Sequence, residues 1–316
     1  MFQTLFYLIL FFIVAEYIFS KVLDYLNQKN WSEELPPIAA DFYDSKKYAE
    51  SRSYHRENSK VSLISGLIST SLSIAILVFG GYEILDKYVR SITQEPISMA
   101  LLFFGILTLA TSLISLPFSI YSTFVIEEKY GFNKMTWKLF ILDLFKGLLL
   151  SALLGGGILS LIIYIYMMMP ANFWWIAWLI VSSLTIFFAM FYTSLIVPLF
   201  NKLTPLEEGE LKKEISDYAQ KVNFPLTEIF VIDGSKRSTK ANAYFSGLGP
   251  KKTIVLFDTL IKEQSKEELT AVLAHEVGHF KEKHVLKSLA ISLVQIAILF
   301  LVFGKVCSNP LLHGAL

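Results

Sequence analysis

Apolar residues in this chain run in long unbroken stretches, too long to be core helices or strands of a soluble domain. Six stretches approach or exceed the ~20 residues that an apolar helix needs to cross a bilayer. They are Phe2 to Ser20, Val61 to Tyr82, Ile97 to Ile126 (broken at Pro117), Gly147 to Met169, Ala171 to Phe200 and Ser288 to Gly304. Five carry no charged residue. The first carries only Glu16, and the last is flanked by Lys287 and Lys305. A helical lead-in from about Leu139 brings Asp143 and Lys146 beside the fourth, three apart and so able to pair on one face. The first stretch lacks a basic n-region and a cleavage site, so it reads as a retained anchor.

Between the fifth and sixth stretches the pattern shortens. Thr204-Pro205 reads as a helix start, with Leu206, Leu211, Ile215, Tyr218, Ala219 and Val222 as its apolar stripe. Strands are predicted at Glu228 to Asp233, Ala241 to Phe245 and Lys252 to Phe257, with a turn at 247–250. Ser265 and Glu268 form a capping-box pattern that opens a further helix. The fold expected is therefore mainly α: a polytopic α-helical membrane protein with a small α+β domain on one loop. Residues 1–200 form the first five segments, 201–287 the domain, and 288–316 the sixth segment and the end. The polar stretch from Asn30 to Arg56 is expected to be an ordered connection.

Composition supports a membrane protein. Of 316 residues, 54% are hydrophobic and 17% charged, against about 25% charged in soluble domains, and mean hydropathy is +0.52. The net charge of +1 offers no field for nucleic acid, and no nucleic-acid partner is expected. One cysteine, Cys307, excludes an internal disulfide. Lys and Arg gather in the loop between segments one and two (Lys29, Lys46, Lys47, Arg52, Arg56, Lys60) and between three and four (Lys129, Lys134, Lys138). The positive-inside rule then puts those loops and the domain in the cytoplasm and the N-terminus outside or in the lumen.

The chemistry lies in His275-Glu276-Val277-Gly278-His279, an HExxH motif. Residues i and i+4 share a helix face, so both imidazoles can reach one metal, for which Zn²⁺ is the expected ion. Glu276 is placed to take a proton from a metal-activated water. Gly278 leaves room for close approach. About 0.005 such matches are expected by chance in a chain of this composition. A hydrolytic zinc site needs a third protein ligand. Glu282 lies on nearly the same face but two turns along. His284, nine residues from His275, lies about half a turn around the helix and so points away. His55 and His313 lack local support.

Four segments carry a resemblance: "HEVGHFKEKH", "STKANAYFSGLGPKKTIVLFDTL", "EEKYGFNKMT" and "YDSKKYAESRSYHRENSK". Together they resemble the CAAX prenyl protease 1 family, integral-membrane zinc metalloendopeptidases of the gluzincin type. The resemblance spans about Asp41 to Pro310. It implies seven membrane helices around a water-filled chamber, with zinc at the cytoplasmic end. It also implies removal of the last three residues of prenylated CAAX proteins, so the expected partners are a peptide or prenylated protein substrate and the lipid bilayer. By the same resemblance His275 and His279 are zinc ligands, Glu276 is catalytic, and Ala241, Asn242, Ala243 and Tyr244 belong to an edge strand that pairs with substrate. The family's third ligand is a glutamate beyond a seventh segment, and this sequence is expected to stop before both. The alternative is an inactive fragment that only binds substrate or membrane partners. A transporter is disfavoured, because no paired broken segments recur in two halves. The bacterial inner membrane and the endoplasmic reticulum membrane both fit.

Overall fold

The computed structural model describes residues 2–32, 34–248 and 252–307. Expectations for Gly249-Pro250, His313 and a seventh segment lie outside those residues. Among the described residues, six helices are long and apolar enough to cross a membrane: Phe6–Asn30, Ser45–Val78, Pro96–Glu127, Trp137–Met168, Pro170–Leu195 and His284–Val306. Their apolar side chains point outward. Phe11, Phe12 and Phe19 each leave about two thirds of their surface open, as expected of side chains solvated by lipid. The chain divides into two compact units, Met1–Asn133 and Lys134–Lys305.

In the first unit, α1 (Phe2–Asn30) packs on α2 (Ser45–Val78). The Tyr17 hydroxyl donates to the Leu63 carbonyl at 3.2 Å, beside Gly66, where a Cβ would stand only 3.2 Å from the Tyr17 ring. Both helices outrun their apolar stretches, so much of the Asn30 to Arg56 connection is helical. Asp44 caps α2 through the Lys47 N–H at 2.8 Å, and no breaker follows before Gly80, whose φ is 68°. The amphipathic α3 (Gly81–Ile92) comes next, then α4 (Pro96–Tyr121), capped by Glu95. Pro117 does not break α4, contrary to expectation. The irregularity falls a turn later, as a π-helical segment at Ser122–Glu127. There the loop "EEKYGFNKMT" meets the polar face of α2. Tyr54 donates to Glu127, Lys129 pairs with Glu57, and the Tyr130 hydroxyl reaches Glu57 at 3.2 Å.

In the second unit, α5 (Trp137–Met168) and α6 (Phe173–Leu195) close around Ile165, Phe173 and Ala177, with Phe300 of α11 (His284–Cys307) against them. Trp178 Nε1 donates to the Leu293 carbonyl at 3.0 Å. The single stretch expected from Ala171 to Phe200 is two helices. It breaks at Ile196, and Pro198 lies at the start of α7 (Val197–Phe200), where its missing N–H costs nothing.

The small domain begins with a strand, not the helix expected at Thr204-Pro205. β1 (Leu203–Pro205) pairs antiparallel with β2 (Leu226–Ile232). It is an edge strand, where proline breaks no ladder. The helix α8 starts five residues later, at Glu210–Lys221. β3 (Ala243–Ser246) and β4 (Lys252–Phe257) complete a sheet of order β1-β2-β4-β3, with β2 and β4 parallel. α9 (Asp258–Glu263) leads to α10 (Lys266–Lys281). The core is filled by Ile215 and Ala219 of α8, Ile254 and Leu256 of β4, and Leu269, Leu273 and Val277 of α10.

Candidate active site

The helix α10 is fixed at its front by the predicted capping box. Ser265 Oγ accepts from the Glu268 N–H at 3.3 Å, and Glu268 Oε2 accepts from the Ser265 N–H at 2.7 Å. Its inner stripe, Leu269, Leu273 and Val277, is almost fully buried. A position two residues past each of these lies about 200° round the helix. His275 and His279 therefore face away from the core, which keeps them accessible for chemistry. Their Nε2 atoms stand 3.0 Å apart.

That separation tests the fit to a metal. Two nitrogens on tetrahedral zinc, with bonds of about 2.0–2.1 Å, lie about 3.4 Å apart. The pair is already converged to within a few tenths of an ångström of that. Among the described residues, no group of three His, Cys, Asp or Glu side chains converges on one point. Two donors fit, and no third converges with them among the described residues.

His284 is the site residue that the sequence reading misplaced. Its Nδ1 lies 2.7 Å from His279 Nδ1. The half-turn argument assumed a continuous helix, but α10 ends at Lys281 and Lys283 takes a φ of 55°. The chain turns there and α11 restarts at His284. The signal available was the run Lys281-Glu282-Lys283 at the foot of an apolar segment, where one helix must yield to another. Glu282 caps the end of α10 and joins no metal-binding group. Glu276 is half-buried and makes no hydrogen bond or ion pair among the described residues. An added Cβ on Gly278 would meet nothing within 4 Å, so the space over the motif is open.

β3 is the opposite edge of the sheet. Ala243 pairs with Leu256, Tyr244 with Val255 and Ser246 with Thr253. The strand begins two residues later than expected. Ala241 and Asn242 form its approach, held by the Asn242 carbonyl, which accepts from the Phe257 N–H at 3.0 Å. Asp258 anchors the turn upstream: its Oδ1 accepts from the N–H groups of Ser235 and Thr259 at 2.9 Å each. Gly234 is required in that turn, since a Cβ there would stand 2.4 Å from the Phe257 ring. Burial pushes the Tyr244 hydroxyl pKa up.

Three rings lock β3 against α10. Phe280 stacks edge-on with Phe224 at 5.1 Å and with Phe245 at 6.2 Å. Lys252, with 5% of its surface exposed, lays its ammonium 5.2 Å from the centre of the Phe280 ring and donates to the Gly247 carbonyl. Burial pulls its pKa down. Beside this lock opens a cleft of about 270 Å³ lined by Phe245, Leu248, Lys252, His279, Phe280 and Leu286.

The expected Asp143–Lys146 pair does not form. Asp143 instead takes a two-pronged contact from Arg237, at 2.7 and 2.9 Å, because a guanidinium matches a carboxylate better than an ammonium three residues away. Arg237 also reaches the Phe200 carbonyl at 2.8 Å. Lys146 turns to the Leu199 carbonyl at 2.7 Å and Lys236 to Phe200 at 2.8 Å. Three cations thus neutralise the last carbonyls of α7 and tie the sheet domain to α5.

Residues 24–202 match the family model described as the CAAX prenyl protease N-terminal, five membrane helices. Residues 205–311 match that of peptidase family M48. The chain belongs to the CAAX prenyl protease 1 family. It is an integral, multi-pass membrane protein and a member of a protease family. It is 39% identical over 313 residues to CAAX prenyl protease 1 of Saccharomyces cerevisiae, covering 94% of this chain and 68% of that protein. It is 41% identical over 266 residues to the probable CAAX prenyl protease 1 of Schizosaccharomyces pombe, covering 80% of this chain and 56% of the relative. The crystal structure of S. mikatae Ste24p superposes with a TM-score of 0.87 at 39% identity, covering 96% of this chain and 72% of that one.

Proposed function

We propose that the chain is the zinc-dependent endopeptidase of its family, and that it cleaves the C-terminal tripeptide from prenylated CAAX-type proteins or related membrane substrates. The observation that carries this reading is the convergence of His275 and His279 on one accessible face of a capped helix, with Glu276 between them and an unpaired sheet edge alongside.

In this reading His275 and His279 hold Zn²⁺ through Nε2, and a third donor completes the site from outside the described residues. The ion supplies Lewis acidity and lowers the pKa of water towards ~7. Glu276, free of competing partners, takes the proton from the attacking water and passes it to the leaving amine. Ala243 and Tyr244, with Ala241 and Asn242 leading in, bind the substrate backbone as an added strand. Open space over Gly278 lets the scissile bond approach. His284 receives the Nδ1 proton of His279, which fixes the tautomer and leaves Nε2 as the donor. Residues 201–287 act as the catalytic domain on the cytoplasmic side, following the lysine-rich loops.

The test is cleavage of a farnesylated CAAX peptide by the detergent-extracted protein and by Glu276→Gln. Loss of at least 10²-fold in rate is expected from removing the general base. An unchanged rate would sink the reading.

A further inference from the structure

We infer that the loop between α1 and α2 carries a binding site for a phosphorylated phospholipid headgroup. The last turns of α1 and the first turns of α2 enclose a pocket of about 310 Å³ lined by Gln28, Lys29, Trp31, Arg52, His55 and Arg56. Three of these are permanent cations, of which Arg52 is already engaged, and no carboxylate is among the described residues that line the pocket. Nearby acids are already engaged: Asp24 pairs with Lys21 at 2.9 Å and Glu57 with Lys129. Lys29 and Arg56 have no ion pair among the described residues. Trp31 and His55 pack at 4.8 Å between ring centres, tilted by 51°, and form one wall.

Depth selects the ligand. The apolar part of α1 ends at Ser20 and that of α2 begins at Val61. At 1.5 Å rise per residue, Lys29 stands about 13 Å beyond its boundary and Arg56 about 7 Å beyond its own. The headgroup layer on each side of a bilayer is roughly 5–8 Å thick. The cations therefore lie from the outer edge of that layer to about 5 Å beyond it, past the glycerol phosphate. A headgroup that projects further phosphates outward, as a phosphorylated inositol ring does, meets them. A serine headgroup brings an ammonium, for which the described lining residues offer no carboxylate. Basic pockets at helix ends on the cytoplasmic leaflet suit such lipids. The inference rests on the membrane topology and is independent of the protease chemistry.

The full chain, reconstituted in phosphatidylcholine vesicles containing a minor fraction of phosphatidylinositol bisphosphate, is extracted and its bound lipid counted by native mass spectrometry. Retention of the inositol lipid by wild type is expected. The double variant Lys29→Ala/Arg56→Ala should weaken binding about thirtyfold, at about fivefold per cation. Lys87→Ala/Arg90→Ala on α3 should leave binding unchanged. Arg56→Gln, which keeps the side-chain length, gives the same direction at about fivefold should the double variant unfold. Wild-type retention by the double variant would overturn the inference. Equal retention from phosphatidylserine vesicles of matched charge would reduce it to diffuse attraction and overturn it. Equal affinity for free inositol phosphate would make it a site for a soluble anion and overturn the lipid assignment.

Discussion

The membrane helices and the sheet domain use the same apolar residues in opposite ways. Leu153 on α5 leaves 65% of its surface exposed, whereas Leu273 on α10 leaves 1%. On the spans, lipid supplies the apolar surroundings and packing contributes little. In the sheet domain, protein supplies all of them, and the stripe Leu269, Leu273 and Val277 determines where His275 and His279 point. The spans therefore tolerate apolar change, while in the domain a lost core contact also displaces the histidine pair.

The sharpest way to break that contrast is a pair of equal truncations. Leu273→Ala should destabilise the domain by about 3 kcal/mol, through lost transfer energy and a cavity. Leu153→Ala should cost within about 0.5 kcal/mol, because lipid fills the space. Thermal unfolding in detergent micelles reads both, and equal losses would refute the contrast. Arg237→Ala comes next. It leaves Asp143 uncompensated at 17% exposure and should cost about 3 kcal/mol, the low end for a broken buried pair. Limited proteolysis of the sheet domain should accelerate in step.

His284→Ala probes the site without touching the core. Zinc affinity, measured by chelator competition, should fall 10–100-fold, as for other partners of metal-bound histidine. His284→Asn, which retains a hydrogen-bond acceptor, should recover part of it. The smallest effect is with pH. Burial raises the Asp233 pKa, but Lys236, the Lys202 N–H and Asn201 together outweigh it, so the carboxyl titrates below its usual value. A depressed carboxyl pKa stabilises the fold above the unfolded value and loses that contribution as pH falls through the folded one. Asp233→Asn should flatten the acid limb of the stability curve below about pH 4 and leave the neutral region parallel.

The sequence revealed most where one local rule acted alone. Six spans follow from length and hydropathy, and the box at Ser265 with Glu268 placed the start of α10 to the residue. Errors arose where a local signal met a tertiary alternative. Thr204-Pro205 satisfies a helix start, but β2 offers it a ladder. Asp143 has Lys146 within reach, but Arg237 offers a better fork from 94 residues away. His284 seemed to point away because the break at Lys283, a positive φ on a residue with no propensity for it, is marked only by the charged run Lys281-Glu282-Lys283. The encounter of "EEKYGFNKMT" with the polar face of α2 was also invisible, since only the fold brings Glu57 to Lys129.

The most direct test of the central claim is the zinc content of the membrane-extracted protein, compared with His275→Ala and His279→Ala. The account predicts one zinc per chain in the wild type and loss of the metal in each variant, with the fold retained because neither histidine lies in the core. Full zinc occupancy after removal of both histidines would place the metal elsewhere and contradict the assignment of the site.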